Sequence, residues 1–214
     1  IGLLMKLTIA IFAILSIISF PHIALSAKPA DGKTLYTSCA ACHGAKGEGN
    51  RALGAPNIAG MDAWYLTAQL ENFASGKRGT KAGDTYGAQM RAASAPANTQ
   101  ANRAAIVVYV SKMPKILMST KANDKANLAN GSTQYNALCS ACHNANGKGN
   151  QSLGAPRLAG IDNVYLDRQF NNFRIGLRGY EASDKHGKHM AAISKMLDAK
   201  NQPDVLAYIS TLKL

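Results

Sequence analysis

The sequence predicts an all-α fold built from two tandem copies of one small domain. Internal repetition is the first reason: residues 39–94 and 139–194 align without a gap, and about half of the positions are identical. Helical periodicity is the second, because apolar side chains within each copy recur at three- and four-residue spacing. The third is what the intervening segments lack. They are rich in Gly and Ala and show no strand-like alternation.

After Met5 and Lys6, the uncharged run LTIAIFAILSIISF is followed by Pro21 and the small-residue stretch ALSA. This reads as an export signal, residues 1–27, starting at Met5 and cut after Ala27. An uncleaved membrane anchor is the competing reading, but the run is short for a span and Pro21 interrupts it. The first domain is expected at 28–113 and opens with DGKTLYTSCAACH, which can form a helix running into a cysteine motif. Tyr65, Leu66, Gln69, Leu70 and Phe73 then form one helical face. A loop carries the chain from Arg78 past Met90, and NRAAIVVYVSKM closes the domain at Pro114. The polar stretch 114–130 lacks apolar periodicity and reads as a linker. The second domain, 131–214, repeats the plan and ends on QPDVLAYISTL, with Pro203 in its first turn.

Composition excludes several classes. An apolar share of 47% is too high for a disordered chain. Four cysteines in two tight pairs are too few for a disulfide scaffold, and each pair is followed by a histidine. On a helix, Cys39 and Cys42 are three apart and His43 is four from Cys39, so all three present toward one side, as do Cys139, Cys142 and His143. Two thiols placed so can form thioethers with the vinyl groups of one haem while the imidazole comes up beneath the iron; the spacing is that of c-type haem attachment. A thioredoxin-like site would need a strand-rich α/β pattern that is missing here. A zinc site would need the two pairs to converge from separate domains. The cofactors expected are two covalently attached haem c groups, one per domain.

The two Cys-x-x-Cys-His motifs, Pro56 and Pro156 downstream, YLTAQLENFASGKRG with YLDRQFNNFRIGLRG, and a methionine before each last helix together carry a resemblance. Over nearly the whole mature chain the sequence resembles the diheme cytochromes c of the cytochrome c4 type, two class I cytochrome c domains in tandem, each wrapped around one haem. The resemblance implies that the carbonyls of Pro56 and Pro156 accept the Nδ1 hydrogens of His43 and His143. The spacing also resembles other exported cytochrome c subunits of respiratory complexes.

The repeat selects the second axial ligands. Met90 and Met190 each lie 47 residues after the motif histidine, whereas Met61 aligns with Ile161, and Met113 and Met196 have no counterparts. His186 and His189 stand close to Met190 and compete with it; a His/Met pair suits the fold better. A thioether favours ferrous iron, and filling both axial positions leaves no open site for a substrate. Tyr65, Leu66 and Phe73, with their partners at 165, 166 and 173, read as helix core. Arg78 and Arg178 read equally as propionate partners or as solvated loop arginines.

The expected function is therefore that of a periplasmic carrier of single electrons. In the family it resembles, such a carrier links a quinol-oxidising cytochrome bc1 complex to a terminal oxidase of the cbb3 type. The alternatives are a cytochrome subunit accepting electrons from a periplasmic dehydrogenase, such as a sulfide-oxidising flavocytochrome, and, in another class, a diheme peroxidase or thiosulfate-oxidising enzyme. The formal charge of +12, or +11 once Lys6 leaves with the signal, favours acidic redox partners or peripheral association with an anionic membrane. An exported chain with no nucleic-acid motif is not expected to bind nucleic acid.

Overall fold

The computed structural model describes residues 31–118 and 125–213; the expected export signal and the middle of the linker lie outside them. In the first half Asp31 caps α1 (Gly32–His43), α2 (Ala63–Ala74) follows Asp62, Asp84 caps α3 (Thr85–Ala93) and Thr99 caps α4 (Gln100–Ser111). The second half repeats the series with α5 (Leu128–Leu138), α6 (Ser140–His143), α7 (Asn163–Arg174), α8 (Lys185–Met196) and α9 (Gln202–Thr211), the last with Pro203 in its first turn. Among the described residues the only strand-like pairings are the isolated bridges Asn50 to Ala55 and Asn150 to Ala155, which pinch the loop after each cysteine motif.

The sequence reading takes the segments around Met90 and Met190 as loop, yet both methionines lie on helices, α3 and α8. Gly87 and Gly187 in the first turns weaken the local helical signal. The caps outweigh them: Asp84 Oδ1 and Asp184 Oδ1 each accept the amide of that glycine at 2.9 Å.

Each half is held by its first helix crossing its last, α1 on α4 and α5 on α9. The crossing needs glycine. A Cβ at Gly32 would stand 2.2 Å from the Ala105 carbonyl oxygen, and one at Gly131 would stand 2.1 Å from that of Asp204. One turn on, the buried rings of Tyr36 and Tyr135 lie 5.4 and 5.5 Å from those of Tyr109 and Tyr208.

This crossing also explains a break that the periodicity does not foresee. Gly32 and Tyr36 lie seven and three residues before Cys39, but Gly131 and Tyr135 lie eight and four before Cys139. Both ends of the segment are fixed, because Tyr36 donates to the Gly44 carbonyl and Tyr135 to that of Asn144, each at 2.7 Å. The extra residue is absorbed at Cys139, where φ opens to −116° and separates α5 from α6.

The halves share a core cluster at their joint, while the second half keeps its own around Tyr135, Leu197, Val205 and Ile209. Ile161, Tyr165 and Leu166 pack into the first half's cluster beside Tyr36, Met61 and Val110. Polar contacts reinforce the joint: buried Asn57 donates to the carbonyls of Ile116 and Gly160 at 2.8 and 3.0 Å, and Arg51 pairs with Asp162 at 2.5 Å. Replacing Gly32 or Gly131 with Ala is expected to destabilise the protein by about 1–3 kcal/mol, because the added methyl meets backbone rather than a movable side chain. Thermal unfolding followed by far-ultraviolet circular dichroism checks this.

Candidate functional site

The first half encloses a largely apolar cleft into which α1, α2, α3, α4 and the loop at 53–58 all face. Cys39, Cys42, His43, Pro56 and Met90 are brought to its walls, so one lining holds the residues that the sequence places up to 51 positions apart. Cys39 is partly buried and Cys42 exposed, and both are free thiols, as are Cys139 and Cys142. His43 and His143 are buried. Each imidazole Nδ1 lies against a proline carbonyl, His43 at 2.9 Å from Pro56 O and His143 at 2.8 Å from Pro156 O. The carbonyl can only accept, so Nδ1 carries the hydrogen and Nε2 presents a lone pair. Burial pushes both imidazoles below their ordinary value, which keeps them neutral, the form that binds a metal.

The thiols contradict a redox dithiol. Burial pushes Cys39 up and Cys139 up to about 11, whereas reactive Cys-x-x-Cys sites lower a thiol toward neutrality. Among the described residues no three of His, Cys, Asp and Glu gather into a metal-binding cluster, so the two cysteine pairs do not converge. Met61 also lines the first cleft, but it belongs to the shared core, and its counterpart is Ile161. In the second half Met190 is half-buried on α8 while His186 and His189 are exposed. Met196 is 64% exposed, away from any core role.

Arg78 and Arg178 are not solvated loop residues. They are 5% and 7% exposed and meet across the joint between the halves. Arg78 donates to Gln69 Oε1 at 2.6 Å and to Gln169 Oε1 at 3.1 Å; Arg178 donates to Gln169 Oε1 at 2.7 Å and to Gln69 Oε1 at 3.3 Å. Each guanidinium also lies over a ring of its own half, 4.4 Å from the Phe73 centroid and 4.2 Å from that of Phe173. The Tyr65 and Tyr165 hydroxyls both lie in the field of the two guanidinium groups, which completes a two-fold pattern. Burial first, and then the like charge of Arg78, pull the Arg178 guanidinium below its ordinary value.

That pattern tests whether a haem fits. Neither arginine has a carboxylate partner among the described residues, and both Nε atoms are buried without an acceptor. Buried cations are ordinarily paired, so the joint calls for anions. Arg78 lines the first cleft, and Tyr165, Arg168 and Gln169 of the other half line it too. A group with two vinyl-derived attachment points, an iron needing a neutral imidazole and two carboxylates matches the thiols, the histidine and the arginines together. The fold and this site define a carrier of covalent haem with two attachment sites.

Comparison with known proteins agrees. A cytochrome c family profile matches residues 29–114 and again 128–213, and the chain belongs to that family, as a diheme cytochrome c of the cytochrome c4 type carrying two haem c groups. It is 31% identical to the thiosulfate dehydrogenase electron acceptor of Stutzerimonas stutzeri, over 80% of this chain and 83% of that one. It is 28% identical to the cytochrome c4 of Azotobacter vinelandii, over 97% of this chain and 99% of that one. The solved structure of reduced cytochrome c4 from Pseudomonas stutzeri superposes with a TM-score of 0.65 at 26% identity, over 85% of this chain and 97% of that one. A thiosulfate dehydrogenase from Marichromatium purpuratum superposes at 0.64 with 28% identity; the match covers 84% of this chain but only 39% of that one. Its family and relatives make the chain a diheme electron-transfer cytochrome.

Sequence reasoning missed how the site is shared. Gln69, Gln169, Arg78 and Arg178 stand out as repeated residues, but repetition alone does not say that a residue meets its own counterpart. Arg168 carries no repeat signal at all, because position 68 is Ala.

Replacing Gln169 with Leu removes an acceptor from both guanidinium groups and is expected to cost about 2–3 kcal/mol in denaturant unfolding, the range for a hydrogen bond to a charged group. Alkaline pH gives a second check. Burial pushes the Tyr36 hydroxyl up to about 12 from 10.0, so the unfolded chain releases this proton first. The stabilisation is complete below pH 10 and is lost as pH rises toward about 12. Stability measured from pH 9 to 12 should fall, and less steeply in Tyr36→Phe.

Proposed function

We propose that this cytochrome carries single electrons in the periplasm between a quinol-oxidising complex of the bc1 type and a terminal oxidase of the cbb3 type. Cys39 and Cys42 hold one haem and Cys139 and Cys142 the other, and the iron supplies one-electron chemistry. His43 with Met90, and His143 with Met190, are the axial pairs in this reading. The proline carbonyls orient the two imidazoles, and the apolar cleft walls keep water from the ligand atoms. Arg78 and Arg178 receive the haem carboxylates.

The observation that carries the reading is the joint itself. The first cleft is walled partly by α7 of the second half, and the paired arginines touch both halves. An electron accepted in one half therefore has a buried route to the other. The excess of basic side chains suits docking to acidic partners, with peripheral membrane association as a further use. Among the described residues no helix is long and apolar enough to cross a membrane. A second reading has support of its own: the relative from Stutzerimonas stutzeri is an electron acceptor for thiosulfate dehydrogenase, so a periplasmic dehydrogenase of that kind would be the donor.

Spectroscopy separates carriage from catalysis. Haem-loaded protein is expected to hold two haems per chain, both with the far-red ferric band of methionine ligation and neither binding carbon monoxide readily. Met90→Ala and Met190→Ala should each abolish half of that band and open one haem to carbon monoxide. A wild-type haem that lacks the band or binds carbon monoxide at once would restore the enzyme reading. Stopped-flow reduction by a bc1 complex and by thiosulfate dehydrogenase distinguishes the two donors.

A further inference from the structure

Arg168 is the charged wall residue of the first cleft that the repeat does not duplicate. It comes from α7 of the second half, yet it reaches into the first: a guanidinium nitrogen bonds to the Gly54 carbonyl, and the group lies 4.2 Å from the Tyr86 ring centroid and 5.6 Å from that of Tyr165. Its Nε is buried with no acceptor. Among the described residues no carboxylate pairs with it.

The other charged side chains lining that cleft are matched between the halves. Arg78 has Arg178, and Asp84, which caps α3, has Asp184, which caps α8 with the same 2.9 Å bond. Arg168 has Ala68. Another unmatched buried cation, Arg157, stands where the first half has Asn57, a position outside the cleft lining, and donates to the Ala159 carbonyl at 2.9 Å. Tyr86 and Gln89 of the first cleft correspond to His186 and His189, whose imidazoles are exposed.

We propose that Arg168 tunes the pair of sites, raising the reduction potential of the first-half haem relative to the second and so biasing a single shared electron toward the first half. Reduction adds one negative charge at the iron. A fixed cation in the wall favours that state, and burial keeps water and salt from screening it. The two aromatic rings and the Gly54 carbonyl hold the guanidinium at the wall of the first cleft, where its field is strongest. The inference rests on the reading of both halves as His/Met haem sites.

Redox titration of the haem-loaded protein at pH 8, where an ordinary imidazole is neutral, tests it. Each potential is assigned to its site by the resonances of its own axial methionine in proton NMR. Arg168→Met is expected to lower the first-half potential, reducing the equilibrium constant for electron transfer from second to first site by roughly threefold to tenfold, a tenfold change being about 59 mV for one electron. Arg168→Lys, which keeps the charge but loses the fork, should retain most of the wild-type value. Unchanged potentials in Arg168→Met, equal shifts at both haems, or a loss in Arg168→Lys as large as in Arg168→Met would overturn the proposal. A haem count below two, or a missing methionine band in wild-type protein, would instead count against the ligand assignment on which it rests.

Discussion

Two buried guanidinium groups with no carboxylate partner among the described residues set the terms for this molecule. Arg78 and Arg178 share the amide oxygens of Gln69 and Gln169 and stack on Phe73 and Phe173, but these neutral partners do not cancel two like charges. Such an arrangement is costly in a protein that contains only its side chains. It becomes reasonable when each half holds a group that brings its own carboxylates. Arg78, which joins the halves, thus also lines the first cleft.

The joint gives duplication a physical meaning. A single copy would leave Gln69 and Arg78 without half of their partners; two copies set Gln69 against Arg178 and Arg78 against Gln169. Duplication also leaves room for asymmetry. One half tolerates an extra residue before its cysteine motif because the glycine crossing and the tyrosine bond fix the two ends and Cys139 yields between them. Another departure puts Arg168 opposite Tyr86 and leaves Ala68 at the matching place. The shared elements build the sites, and the departures make the two sites unequal.

Much of this was legible in the sequence, and particular residues explain what was not. The repeat, the Cys-x-x-Cys-His spacing and the apolar face of α2 and α7 foretell the two helical halves and the attachment chemistry, because each is encoded in short-range spacing. The helices bearing Met90 and Met190 read as loop in the sequence: Gly87 and Gly187 hide them, although the capping residues Asp84 and Asp184 mark where they begin. The break at Cys139 was present as a one-residue difference in spacing to Tyr135, but its consequence depends on the packing of Gly131 against α9. The burial of Arg78 and Arg178 depends on how two domains dock. No local pattern states it.

The most direct test of the account is the structure of the haem-loaded protein at the joint between its halves. The prediction is that haem carboxylates from both halves lie within hydrogen-bonding distance of Arg78 and Arg178, including their Nε atoms, with Gln69 and Gln169 still bridging. Arginines that keep only the glutamines or turn toward water, with the haem carboxylates directed elsewhere, would contradict it.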